Sequence, residues 1–357
     1  MNIKKIIGRQ KIVKYKGNVI FNRPRSLIEN LDELPPPDRE LMYEADPDLR
    51  NTKDKFFLST RGCPYYCTYC FNSKYNKMYE GLGLGLRHRS VSNLIDEIYE
   101  VRYSLRLFHM IDDTFLLKPK GWFEEFSKSY CKRAGLPFSC NVRPNVVGEE
   151  IMGLLKEAGL YLVSMGCECG DEEISNRILK RNISNKQILN AASIIKKAGI
   201  ILVTQNLCGV PVSNSYDVNV KTLELNFSIN PAFAFSSILY PYPGTPIEVY
   251  ARDNNYLEDK AQSLHTNKYM RSLFNFSSGL EKRKIENLHK LFDLLVCFRW
   301  LRPYRDLLCR LPLTRFYLAI FYLRCGYQAN FKLYPLRFAH RKLLPYVKLF
   351  FKLLSKD

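Results

Sequence analysis

Six short apolar runs recur between residues 55 and 280: Phe56–Thr60, Leu107–Ile111, Phe138–Asn141, Leu160–Met165, Ile200–Asn206 and Ala234–Tyr240. Each is bounded by polar or turn-forming positions, which predicts strands. Between them lie stretches with apolar residues at helical spacing: Val91–Leu105, Gly121–Arg133, Glu149–Ala158, Glu172–Leu179, Asn185–Ala198 and Tyr216–Asn226. The alternation predicts repeated βα units and hence a parallel sheet. Six repeats suit an α/β fold of the open, partial TIM-type barrel kind, a (βα)6 arrangement whose reactive groups sit at the strand C-termini.

Outside that span the pattern changes. Val13 to Phe21 is β-like, and Leu34-Pro35-Pro36-Pro37-Asp38 follows. Three consecutive prolines exclude a helix or a central strand, so residues 1–50 read as an extension and stiff linker. Residues 51–280 hold the βα repeats, and residues 281–357 turn basic, amphipathic and mainly helical. The apolar stretches there, Leu294–Trp300, Phe316–Leu323 and Leu343–Leu354, are each broken by Arg, Lys or Pro. None approaches the roughly 20 apolar residues needed to span a bilayer. A helix beyond Pro345 would align Lys348, Lys352 and Lys356 on one stripe, with Val347, Phe350, Phe351 and Leu354 over the remainder. That suits an interfacial membrane helix and, equally, a helix closing the barrel edge with its lysines in water.

At 357 residues and 46% hydrophobic content, the chain has enough apolar material for one large domain with extensions. Of its net charge of +19, residues 280–357 supply +12, with 17 Lys and Arg against 5 Asp and Glu. The basic residues there are interleaved with Leu, Phe and Tyr, which favours an anionic membrane surface over nucleic acid. Eleven cysteines, an odd number, are scattered apart from one cluster, and no apolar segment of a secretory signal follows Lys4 and Lys5. The expected location is the cytoplasm, with reduced thiols and peripheral contact at the inner membrane face through the C-terminal region.

Candidate chemistry concentrates after the first strand, in Arg61-Gly62-Cys63-Pro64-Tyr65-Tyr66-Cys67-Thr68-Tyr69-Cys70. Three thiols spaced CxxxCxxC at a strand-to-loop junction suit an iron–sulfur cluster, and a cage held wholly by cysteine uses four. No fourth cysteine is near, so one iron would stay open to another ligand. A zinc knuckle or three unrelated buried thiols are the plainer alternatives, although zinc sites more often pair C-x-x-C units. Gly81, Gly83 and Gly85 lack the spacing of a phosphate-binding fingerprint and read as a mobile loop.

The three-cysteine pattern, with Tyr69 before its last Cys, resembles the radical S-adenosylmethionine (SAM) superfamily, in which the open iron chelates SAM. Further elements over about residues 8–255 are similar to the cobalamin-type branch of that superfamily. Asp112-Asp113-Thr114-Phe115 resembles a DD-x-F element at the edge of the SAM site, where a carboxylate accepts hydrogen bonds from the SAM ammonium group or from substrate. An Asp pair capping the next turn is the plainer reading. Gly166-Cys167-Glu168-Cys169-Gly170 resembles G-x-E-S-G with Cys169 in place of Ser, implying that Glu168 accepts from the ribose hydroxyls and that Gly166 lets the backbone come close. Cys167 and Cys169 would share one strand face, so a second metal is conceivable, though no partner set follows.

Arg181, in Lys180-Arg181-Asn182, stands where the branch places the basic residue for the SAM carboxylate. Gly209, in Cys208-Gly209-Val210-Pro211, belongs to a segment similar to the G-x-P turn beside adenine, although Val212-Ser213-Asn214 replaces the usual acidic residue after it. Tyr240-Pro241-Tyr242-Pro243-Gly244-Thr245-Pro246 resembles a P-Y-P-G-T-P element and implies a rigid loop shaping the substrate cavity, with Tyr242 and Thr245 as substrate contacts. Arg143, Arg87 and Arg89 are candidate anion contacts for SAM or substrate, with solvated surface charge as the alternative.

The resemblance implies an enzyme that holds a [4Fe-4S] cluster on Cys63, Cys67 and Cys70, cleaves SAM reductively and directs a 5′-deoxyadenosyl radical to C–H abstraction. Methylation or rearrangement of a lipid, tetrapyrrole or natural product would follow. It implies a small-molecule substrate and a reducing partner such as ferredoxin or flavodoxin. Too few residues precede the proline run for a cobalamin-binding domain, and no D-x-H-x-x-G signature occurs. Cobalamin is therefore expected only from another subunit, unless the reaction dispenses with it or the chain is a fragment. Competing readings are a non-catalytic iron–sulfur electron carrier or scaffold anchored at a membrane or partner, and an RNA-modifying enzyme. The SAM-type elements count against the first, and the apolar tail against the second.

Overall fold

The structure, a computed structural model, describes residues 12–15, 18–21, 24–257 and 270–333. A hairpin of β1 (Ile12–Tyr15) and β2 (Asn18–Phe21) comes first, then α1 (Arg39–Ala45) after the proline run. The core opens with β3 (Asp54–Phe57), the short β4 (Thr60–Arg61), α2 (Phe71–Met78), β5 (Arg87–His88) and α3 (Val91–Val101). The alternation continues through β6 (Leu107–Met110), α4 (Lys120–Arg133), β7 (Phe138–Val142), α5 (Glu149–Glu157) and β8 (Leu160–Glu168). It is completed by α6 (Glu172–Arg177), α7 (Asn185–Lys197), β9 (Ile201–Cys208), α8 (Ser215–Ile229), β10 (Phe233–Ile238) and α9 (Pro246–Asp253). The C-terminal helices are α10 (Gly279–Cys297), α11 (Arg305–Arg310) and α12 (Thr314–Tyr327). The predicted lysine stripe beyond Pro345 lies outside the described residues.

All six predicted strands join one sheet in the order β10-β9-β8-β7-β6-β3, and every neighbouring pair is parallel. Consecutive strands of the sheet are neighbours throughout, so it winds in one direction, as a barrel does, and never reverses at a switch point. β3 and β10 are its two edges, which leaves the barrel open on one side. The α/β partial barrel expected from the pattern is therefore the architecture observed.

Parallel strands must be covered on both faces. On the outer face Phe57, Phe108, Met110, Phe138 and Cys140 enter the main core beneath the α3 and α4 residues Ile95, Ile98, Phe123 and Phe126. Phe108 and Phe138 stack at 5.3 Å, and Phe126 meets Phe138 edge-on at 5.7 Å. The helices begin where their caps dictate: the Ser90 hydroxyl accepts from Asn93 N, and Ser184 and Gln187 form a reciprocal capping box. A second core lies beneath α10, where Leu288, Phe292 and Leu295 cover Cys208, Ala234 and Ile238 of β9 and β10. The C-terminal helices therefore complete the outer layer of the barrel.

The linker is pinned as well as stiff. Asp32 accepts from Ser90 N at 3.0 Å, and Arg39 pairs with the buried Glu97 of α3 at 2.7 Å.

Truncating Phe138 to Ala should cost about 3–5 kcal/mol of stability in urea unfolding, since the cavity opens at the meeting point of several rings. A second expectation concerns Lys290, buried in α10, whose Nζ donates to Glu286 O at 2.8 Å. Burial pushes its pKa down to about 8 from the ordinary 10.5. The folded chain thus binds this proton less readily than the unfolded chain, and the cost is complete below about pH 8 and fades as pH rises towards 10.5. The stability gained in Lys290→Met relative to the parent should accordingly be largest near neutral pH and shrink steadily above about pH 8.

Candidate functional site

The cysteine loop leaves the sheet at the C-terminal edge, and one buried carboxylate holds that exit. Asp112, just past β6, accepts at Oδ1 from Ser59 N at 2.8 Å, from Thr60 Oγ1 at 2.7 Å and from Thr60 N. Its Oδ2 accepts from Ser59 Oγ at 2.8 Å. Of the Asp pair singled out in the sequence, Asp112 is thus spent on the root of the cysteine loop, because its burial leaves those backbone and hydroxyl donors with no other acceptor. Asp113 is the exposed member, and both aspartates line the adjoining cavity.

Close packing fixes the loop on its other sides. Gly62 has φ +89°, and a Cβ there would lie 1.9 Å from Gly85 O, so glycine is required at the contact. Gly85, at the end of the glycine run, is therefore the seat of the cysteine loop at this point. Thr68 N donates to Leu179 O at 3.1 Å, Thr68 Oγ1 to Ile178 O at 2.8 Å, and Thr68 O accepts from Ile247 N at 3.1 Å. Asn76 Nδ2 donates to Cys63 O at 2.7 Å.

Cys63, Cys67 and Cys70 line one cavity of about 260 Å³ together with Tyr69, Asp113, Arg143, Gly166, Glu168 and Arg181. Among the described residues no three His, Cys, Asp or Glu side chains converge on a position for a single metal ion. Burial pushes the Cys63 thiol up to about 11 and raises Cys70 as well. Taking up a metal centre must therefore displace protons. Arg143 brings a counter-charge: its Nη1 lies 3.3 Å from Cys67 Sγ, and its guanidinium sits 3.7 Å above the Tyr65 ring.

The wall opposite is an ionic unit. Glu168 ends β8 with φ +63°, a left-handed turn that swings it out of the strand register between Gly166 and Glu168. Arg181 Nη1 donates to Tyr69 OH at 2.8 Å and lies 3.4 Å from Glu168 Oε1, while Nη2 donates to Gly166 O at 2.6 Å. Arg181 Nε is buried and has no partner among the described residues. Burial raises the Glu168 carboxyl, and Arg181 works against that rise. For Arg181 burial opposes the charge, but Tyr69 and Glu168 outweigh it and hold the pKa above the usual value. The left-handed turn also separates the C-x-C pair. Cys167 enters the main core and Cys169 a different apolar cluster, so the shared strand face expected for a second metal is lost.

Other sequence candidates fall elsewhere. Gly209 has φ +82° and donates to Asn219 Oδ1 at 3.2 Å, outside the lining of this cavity. Thr245 is buried and its hydroxyl donates to Tyr242 O at 2.6 Å, so it closes its own loop, outside the lining of this cavity. The Tyr242 ring packs against Tyr240 at 5.0 Å. Arg87 and Arg89 are structural: Arg87 donates to Ile28 O at 2.8 Å, and Arg89 pairs with Glu97. Arg143 alone of the three candidate anion contacts reaches the cavity. The lining residues that the sequence reading did not single out include three polar ones on the strands: Asn141 on β7, Ser164 on β8 and Gln205 on β9. Their signal was polarity at alternate positions of otherwise apolar strands, where a parallel sheet turns towards its lumen.

Residues 57–219 match the family model of the Radical SAM superfamily. An uncharacterised methyltransferase of Pyrococcus horikoshii is 28% identical over 251 residues, covering 68% of this chain and 52% of the relative. Anaerobic magnesium-protoporphyrin IX monomethyl ester cyclase of Rubrivivax gelatinosus is 23% identical over 300 residues, 75% of this chain and 52% of that one. Among solved structures, the cobalamin-dependent S-adenosylmethionine radical enzyme OxsB, with aqua-cobalamin and S-adenosylmethionine bound, aligns with a TM-score of 0.60 at 14% identity over 95% of this chain and 55% of that chain. The chain spans about half the length of the curated relatives it matches.

The two aspartates should separate cleanly by mutation. Asp112→Ala should cost about 3 kcal/mol of stability and lower the iron bound per chain after anaerobic reconstitution, because the buried donors of Ser59 and Thr60 lose their acceptor. Asp113→Ala should leave both unchanged and weaken SAM binding, read by equilibrium dialysis.

Proposed function

We propose that this chain, whose residues 57–219 belong to the radical SAM superfamily, is an enzyme that carries a [4Fe-4S] cluster on Cys63, Cys67 and Cys70 and binds SAM beside it. The observation that carries this reading is a single cavity wall in which three thiols meet Asp113, Arg143, Glu168 and Arg181 at the strand C-termini. The residues present fit the group: three soft donors, no fourth cysteine beside them, a cationic guanidinium at Cys67 and polar side chains around the open side. When bound, the cluster and SAM supply a 5′-deoxyadenosyl radical by reductive cleavage, for hydrogen abstraction from an unactivated carbon.

In this reading the protein's own groups bind and orient. Glu168, turned into the cavity by its left-handed backbone, accepts hydrogen bonds from the ribose hydroxyls. Arg181 and Arg143 balance the thiolates and the SAM carboxylate, and Asp113 accepts from the ammonium group. Tyr69 keeps the Arg181 guanidinium in place. The cavity walls keep water from the reacting atoms.

The reaction that follows is methyl transfer or rearrangement of a lipid, tetrapyrrole or natural product, which the methyltransferase and cyclase names among the relatives support. Electrons come from a ferredoxin- or flavodoxin-type partner, and the enzyme works in the cytoplasm with its basic C-terminal region peripheral to the membrane. A simple electron carrier would have no use for the Glu168, Arg181 and Asp113 wall.

Anaerobically reconstituted protein given SAM and dithionite should release 5′-deoxyadenosine, detected by mass spectrometry, and Cys67→Ala should abolish it. A fully loaded cluster that neither binds SAM nor yields this product would overturn the proposal.

A further inference from the structure

The face of the barrel remote from the cysteine loop carries an aromatic stripe that the proposed chemistry does not use. Phe298, Trp300 and Tyr327 are all exposed, Trp300 by 69%. The Phe298 and Trp300 ring centroids are 6.5 Å apart, and Tyr327 stacks on Phe331 at 5.4 Å. Between these pairs the Arg324 guanidinium lies 5.9 Å from the Phe298 ring and 5.7 Å from the Tyr327 ring. Tyr304 and Leu307, on the next turn and on α11, are exposed as well.

The stripe has a fixed address. Arg324 pairs with Asp293 at 2.6 Å, and Asp293 accepts from Ala234 N at the start of β10. Further back along α10, His289 meets Ser236, and Ile285 lies against Gly209, beyond the end of β9. The helix α10 therefore runs antiparallel to β10, and its C-terminal end, where the stripe begins, sits at the N-terminal edge of the sheet. Gln328 Nε2 donates to Ala232 O at the same edge, 3.3 Å away.

Charge selects the occupant. From Phe298 to Leu333 the chain has seven Lys and Arg against one acid, Asp306; of the seven, Arg324 pairs with Asp293, Arg305 with Glu224 and Asp306, and Arg302 packs over Phe227, while Arg299 beside Trp300 is exposed. Residues 334–357 add six Lys and Arg against one Asp. Neither that segment nor a second copy of the chain would bring the opposite charge. Trp and Tyr among basic residues match the headgroup boundary of a bilayer, where apolar rings and cations are both accommodated.

We propose that this face docks on an anionic phospholipid bilayer, with Trp300, Phe298 and Tyr327 at the headgroup boundary and Arg299 at the phosphates. No helix of the described residues is long and apolar enough to cross a membrane, so the contact is one-sided. The orientation follows from the fold: the cavity at the strand C-termini points away from the lipid, open to partners and substrate in water.

The chain has two tryptophans, and Trp122 is buried, so Trp300 reports on the contact directly. Full-length protein should co-sediment with phosphatidylglycerol–phosphatidylcholine vesicles, and weakly with phosphatidylcholine alone. Brominated phosphatidylglycerol should quench its fluorescence, and Trp300→Tyr should remove the quenched component. Arg299→Gln should weaken partition about fivefold, from roughly 1 kcal/mol per basic residue near an anionic surface. Trp300→Ala should weaken it on the order of tenfold. Both side chains are exposed, so SAM cleavage in solution should be unchanged. Equal binding to neutral vesicles, binding indifferent to both variants, or a dimer or an acidic protein complex that Trp300→Ala dissolves would overturn the proposal.

Discussion

The Asp112 carboxylate is the constraint on which the site depends. It gathers four hydrogen bonds from Ser59 and Thr60 and thereby ties the end of β6 to the exit of β3. A buried carboxylate is tolerable only when its acceptor capacity is filled, and here the filling is supplied by the chain segment that must be positioned. The cysteine loop thus leaves the sheet along one path. Thr68 then sets its far end against Leu179 and Ile247, and Gly62 sets its near end against Gly85. Three thiols on a loop would otherwise have no common geometry.

Across the cavity the same logic operates with charge. Arg181 is nearly inaccessible, and it remains charged because Tyr69, Gly166 and Glu168 take up its donors. Removing one partner from such a unit leaves the others buried without compensation, so the wall behaves as a block. Because Tyr69 belongs to the cysteine loop and Glu168 to β8, the block also joins the cysteine side of the cavity to its β8 side. Arg143 adds a second bridge, from β7 to Cys67 and to Arg181 O.

The helices after β10 give the molecule two unlike ends. α10 runs back along the sheet and delivers an aromatic, basic stripe to the strand N-termini, while the cavity occupies the strand C-termini. A barrel allows this division because its two rims are separate in space although joined by every strand.

Much of this was legible in the residues themselves. Six strands and the helices between them followed from periodicity, because an outer face buried under helices must repeat its apolar positions at the helical or strand period. The family resemblance and the three thiols followed from spacing. Tertiary structure alone divided Asp112 from Asp113, assigned Arg87 to the linker and Arg89 to α3, and turned Thr245 inward. It also parted Cys167 from Cys169, since one left-handed residue, Glu168, breaks the alternation that their spacing assumes. Local pattern determines which segments form strands and helices, because that depends on neighbours in the chain. Which polar group is spent on the scaffold and which is left for a ligand depends on partners far away in sequence, 53 residues away for Asp112 and Ser59, and only the folded chain brings these together.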